Sequence, residues 1–177
     1  LPVGLRRRAR EHPVQRVVDW KSGVELHSWP GNAVYEYGTA YSLAFSPDGR
    51  RLAALGEGGL VNIWDTESYA RVHALPGHEQ GAMGVAFSPD GTRLATSSHG
   101  GIVRLWDAAT GQLQGEFGEL GPPVSCVAFS PDGRELAATS FDAVVRVWDL
   151  TEGSREPRSR FRGLGFPALG AAYSANG

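Results

Sequence analysis

The chain has 177 residues, of which 41% are hydrophobic and 10% aromatic, enough apolar mass for a core and too much for wholesale disorder. Its 24 glycines and 11 prolines are about a fifth of the sequence, against roughly 12% in average usage, and favour many short elements over long helices. Seventeen basic against nineteen acidic side chains leave a formal charge of -2, which excludes a strongly basic nucleic-acid binder and an acidic tail protein alike.

No window of helical length carries a 3.6-residue apolar period, so the predicted elements are strands. From the start of the chain, residues 5–9, 14–19 and 24–29 are strand-like, with Ser22-Gly23 as a turn. Three similar stretches follow. Residues 43–45, 85–87 and 127–129 each end in Ser-Pro-Asp-Gly, where proline sets φ, aspartate bonds its own backbone and glycine accepts positive φ, a tight turn. A strand of small apolar residues comes next (52–55, 94–96, 136–138), then a β-rich strand ending in Trp-Asp (60–64, 102–106, 144–148). A weaker, more polar strand follows the turn at Ala109-Thr110-Gly111 and covers 113–117. Phe45, Phe87 and Phe129 step by 42 residues, and so do Trp64, Trp106 and Trp148. Two independent landmarks with one period define a repeat.

Four short strands per 42 residues, with Trp-Asp closing the third, resemble the WD-repeat family of β-propellers, in the bacterial style of Phe-Ser-Pro-Asp-Gly followed by Trp-Asp. The resemblance implies an all-β propeller of four-stranded antiparallel blades. The repeat units are about 30–71, 72–113 and 114–155, with partial units at 1–29 and 156–177, where 173–177 echoes an inner strand. Altogether the strands amount to about four blades in one partial propeller. An open arc of blades leaves apolar faces uncovered. The alternatives are blades contributed by further chain outside this sequence, a homodimer of two arcs, and a closed four-bladed ring.

The family resemblance also implies a buried network of a Gly-His histidine, a turn aspartate, a strand hydroxyl and the tryptophan. The second unit has His78, Thr96 or Ser98, and Trp106, but His99-Gly100 where the aspartate belongs. The third has Asp142 and Trp148, with Leu120 in the histidine's place; the first has Glu57-Gly58 at the turn and no matching histidine. Trp64, Asp65, Asp107 and Asp149 are expected to be structural in the same way. Partners in this family dock on the face carrying the start of the inner strand and the turn between the second and third strands. The repeat alignment puts Tyr41, Met83 and Ser125 at the first position, and Glu57, His99 and Phe141 at the second.

Nothing else points to chemistry. The five histidines fall at unrelated phases of the repeat, without zinc-like spacing. The single cysteine, Cys126, excludes an internal disulfide and any multi-cysteine metal site, and is expected to be a small core residue. Asp48, Asp90 and Asp132 are one turn residue in three copies. The expectation is a chain with no catalytic residue, no cofactor and no metal, not an enzyme. No run approaches the roughly 20 apolar residues of a membrane helix, and Leu1 opens no recognisable signal peptide, so a cytoplasmic protein is expected. Arginines cluster at Arg6, Arg7, Arg8 and Arg10 and again at Arg155, Arg158, Arg160 and Arg162, where charge is expected to protect a sheet edge. The function implied is a scaffold that binds a protein or peptide on one propeller face, with no nucleic acid expected. The alternatives are a regulatory or sensor segment of a larger multidomain signalling protein, and an enzyme using the central mouth.

Overall fold

A computed structural model describes residues 14–18, 25–30, 42–55, 59–118, 121–162 and 167–176. The chain divides into two compact units, Leu1–Thr39 and Ala40–Gly177. In the first, β1 (Val14–Val18) and β2 (Glu25–Pro30) form an antiparallel pair with Val14 opposite Pro30. They correspond to the strands expected at 14–19 and 24–29; the one expected at 5–9 lies outside the described residues.

The second unit holds three four-stranded antiparallel sheets, each a meander in chain order. The first is β3 (Leu43–Phe45), β4 (Arg51–Leu55), β5 (Val61–Asp65) and β6 (Arg71–Leu75). The second is β7 (Ala82–Phe87), β8 (Arg93–Ser98), β9 (Val103–Asp107) and β10 (Leu113–Phe117). The third is β11 (Val124–Phe129), β12 (Glu135–Ser140), β13 (Val145–Asp149) and β14 (Ser159–Phe161). These are propeller blades, with no α-helix among the described residues.

One turn sets the register of all three. The hydroxyls of Ser46, Ser88 and Ser130 donate to Asp48, Asp90 and Asp132 at 2.5–2.6 Å, and accept from the backbone N–H of Arg51, Arg93 and Glu135 at 2.9 Å. With that turn closed, Leu52, Leu94 and Leu136 fall opposite Trp64, Trp106 and Trp148. At the far end of the third strand, Oδ1 of Asp65, Asp107 and Asp149 accepts the hydroxyl of Ser68, Thr110 and Thr151 at 2.5–2.9 Å, closing the next turn. Hydrogen bonds hold all six carboxyls below their usual 3.8, so they stay charged at neutral pH.

The core lies between blades. One cluster joins Val103, Leu105 and Phe117 of the second blade to Val127, Leu136 and Trp148 of the third, with the Phe117 and Trp148 rings 5.8 Å apart. Another joins Ile63 and Leu75 of the first to Leu94 and Trp106 of the second. The second strands of the blades are buried along nearly their whole length, and their alanines let neighbouring sheets approach. The second and third blades approach closely at Gly84 of β7, where an added Cβ would sit 3.1 Å from Cys126 Cα and 3.2 Å from Ser125 O of β11.

Residues 167–176 form no strand, although 173–177 echoes an inner strand in sequence. The segment instead lies along the third blade, through Ala168 N–H to Ser140 O at 3.4 Å and the Tyr173 hydroxyl to Glu135 Oε2 at 3.3 Å.

Candidate functional site

The second blade carries the most complete polar network. His78 follows β6, is only 3% exposed, and is anchored by its backbone N–H to Gly59 O at 3.1 Å. Its Nε2 lies 2.9 Å from Thr96 Oγ1, and the same oxygen accepts the Trp106 indole N–H at 2.9 Å. A neutral imidazole fits this arrangement: Thr96 accepts from Trp106 and gives its own proton to Nε2. Burial first, and the nearby Arg104 second, push His78 down from 6.5 to about 4, with Glu116 opposing. Arg104 closes the assembly, donating to Gly77 O at 2.8 Å and to Glu116 Oε1 at 2.7 Å, 5.9 Å above the Trp106 ring. Of the two hydroxyls at issue, Thr96 is the member; Ser98 instead closes its own turn on Ile102 at 3.1 Å.

In the other blades the residue at Thr96's place is Ala54 or Ala138. With no hydroxyl to meet it, the Trp148 N–H donates to Arg155 O at 3.0 Å. Asp142 does not reach the tryptophan either. It binds the Ser140 hydroxyl, Val144 N–H at 3.1 Å and Arg146 at 2.6 Å, with Arg146 the chief cause of a carboxyl held down to about 2. The repeat alignment narrowed the histidine's partner to Thr96 or Ser98 but did not choose between them, and it gave no sign of the diversion of Trp148 to a carbonyl.

Of the rim positions expected to meet a partner, His99 and Phe141 are exposed in equivalent turns, and Met83 and Ser125 are half-buried at equivalent positions on β7 and β11. Tyr41 and Glu57 lie outside the described residues. The Ser125 hydroxyl is engaged internally, with Thr139 Oγ1 at 2.9 Å and with Ala168 O. Cys126 is half-buried, its Sγ 3.9 Å from Ala171 O. His73 lies on an outer strand with Nε2 2.8 Å from Ala109 O. Among the described residues, no three His, Cys, Asp or Glu side chains lie close enough together to hold a metal ion.

Long-range contacts invisible to sequence join the blades at one further position. Arg51 donates to Ala108 O, Arg93 to Gly133 O at 2.6 Å, and Glu135 at the same repeat position accepts from Tyr173 instead.

The family profile described as "WD domain, G-beta repeat" matches residues 23–65, 69–107 and 111–149, more than half of the chain. Among solved structures, the chain is similar to the crystal structure of RRP9 WD40 repeats, with a TM-score of 0.69 and 25% identity over 76% of this chain and 41% of that one. The chain thus spans less than half of the length of that relative. A search of curated proteins returns no match.

Proposed function

We propose, from the premise that this chain belongs to the WD-repeat family, that it is a non-catalytic scaffold binding a protein or peptide on one face of its blades. Propellers of this family generally mediate protein–protein interaction, and fold alone names no partner. The rim formed by Tyr41, Met83, Ser125, Glu57, His99 and Phe141 is the proposed docking face. One observation carries it: the positions that repeat with the 42-residue period are consumed by turns, core and hydrogen bonds, while the rim changes side chain from unit to unit. The described part of that rim offers a thioether, an imidazole and an aromatic ring 40% exposed, side chains that suit protein recognition. The whole proposed rim brings one glutamate, Glu57, and one histidine, His99, a thin set for acid–base chemistry at a central mouth. No described helix is long and apolar enough to cross a membrane.

The test is site-specific photo-crosslinking in the native host. A photoreactive phenylalanine analogue at His99 or Phe141 is expected to trap one discrete protein adduct, and the same group at the exposed Gln114 of β10 is not. Adducts from position 114 alone, or none from either rim position, would reject the rim as the docking face.

A further inference from the structure

The hydroxyl of Ser97, on β8, is fully buried and has no hydrogen-bond partner among the described residues. Its surroundings are themselves described. Ser97 pairs with Val103 of β9 and lies opposite the bulge at Met83 and Gly84 of β7. An added Cβ on Gly84 would sit 2.8 Å from its oxygen and 3.2 Å from Ser125 O of β11. An unpaired buried hydroxyl is a cost that folded chains seldom carry, so this one calls for a reason.

The repeat shows how the other blades fill the same position. The first has Leu55, buried and with no polar side-chain atom to satisfy. The third has Thr139, whose Oγ1 lies 2.9 Å from the hydroxyl of Ser125 on the neighbouring strand. Residue 97 stands to residue 83 as 139 stands to 125, one period earlier, and the inner strand bulges at the same place in both blades. The second blade thus keeps the hydroxyl of one strand but has a thioether, Met83, where its partner belongs. A thioether sulfur is only a weak acceptor.

Met83 is half-buried rather than sealed in the core, and it is the one methionine of the chain. Oxidation to the sulfoxide gives its side chain the polar oxygen that Ser97 lacks as a partner. Three rotatable bonds let a methionine side chain turn that oxygen toward the hydroxyl.

We propose that Met83 is a site of reversible oxidation whose sulfoxide oxygen accepts the Ser97 hydroxyl, rebuilding in the second blade the contact that Ser125 and Thr139 make in the third. The oxidant is a hydroperoxide, hydrogen peroxide in the simplest case. A sulfur lone pair takes one peroxide oxygen, the O–O bond breaks, and the other oxygen leaves as water; the sulfur is oxidised and the peroxide reduced. The reverse step, sulfoxide and a pair of thiols to thioether, disulfide and water, is the chemistry of methionine sulfoxide reductases. On the docking reading of the rim, the change turns an apolar contact into a polar one and weakens docking; the modification itself does not depend on that reading.

The test treats the full chain with hydrogen peroxide under native conditions, after which dithiothreitol returns Cys126 to its thiol. Mass spectrometry is expected to find one added oxygen, on Met83, that dithiothreitol leaves in place and methionine sulfoxide reductase removes. Melting temperatures of the reduced and oxidised forms are then compared for the wild type and Ser97→Ala. Reduced Ser97→Ala is expected to melt no lower than the reduced wild type, since it deletes an orphan hydroxyl. Oxidation is expected to lower the melting temperature of Ser97→Ala by about 2–4 °C more than that of the wild type, the shift one hydrogen bond produces in a chain of this size. Met83→Leu, a swap of similar volume, is expected to show no shift with peroxide. Resistance of Met83 to peroxide in the folded chain, an equal or smaller fall in Ser97→Ala, or a shift that persists in Met83→Leu would each overturn the proposal. None of these readouts uses a docking partner, so this site and the rim stand or fail separately.

Discussion

Protonation of His78 is expected to be the main cause of stability loss between neutral pH and pH 5. The imidazole is held at about 4 in the folded chain against 6.5 when exposed, because burial and Arg104 both disfavour its charged form. A depressed histidine is neutral in the native state and takes up a proton on unfolding, so its contribution is fully present above pH 6.5. It is lost as pH falls from 6.5 to about 4. At about 1.36 kcal/mol per pH unit the whole effect is about 3 kcal/mol, and about 2 kcal/mol of it falls between pH 7.5 and 5.0. The turn aspartates, held below their usual range, remain charged throughout that interval. Urea unfolding followed by tryptophan fluorescence at the two pH values, on the wild type and on His78→Gln, isolates the group. The variant is expected to start less stable at pH 7.5 and to lose about 2 kcal/mol less than the wild type on acidification. Equal losses in the two proteins would refute the buried neutral histidine.

Thr96→Val removes the one oxygen shared by His78 and Trp106 and orphans both; at about 1–3 kcal/mol for each buried unpaired group, a loss of about 3 kcal/mol is expected in the same urea assay. Ala143 has φ +60°, where the equivalent Gly59 and Gly101 have +75° and +80°. Relief of that left-handed strain, about 1–2 kcal/mol, outweighs the added freedom of glycine in the unfolded chain, about 0.4–1 kcal/mol, so Ala143→Gly is expected to raise the melting temperature; a fall would contradict it. Gly84→Ala drives a methyl into the β11 backbone and the Ser97 hydroxyl, 2.8 Å from the added carbon, and is expected to cost about 1–3 kcal/mol as measured by thermal unfolding.

Much of this protein was legible in its sequence because its folding signals are local. Each Ser-Pro-Asp-Gly turn closes through bonds spanning two to five residues, and each Trp-Asp strand ends in a turn closed within three. Residue type and spacing therefore place the strands, the register that sets Leu94 opposite Trp106, and the family. The exposed rim residues were also within reach of the repeat alignment, since they are what remains when the periodic positions are set aside.

What crosses between blades was decided only by packing. Thr96 rather than Ser98 meets His78 because two hydroxyls on one face of a strand are not equivalent once its neighbours are in place: one accepts the indole N–H, the other turns back on Ile102. With alanine at 138 and no hydroxyl there, the Trp148 N–H goes to a carbonyl seven residues on. Arg93 reaches Gly133 forty residues away, while Glu135 at the same repeat position receives Tyr173 instead. A pattern of side chains specifies the short loops it can close on itself. Contacts between sheets depend on how far each backbone approaches the next, and that distance is set by every buried side chain together.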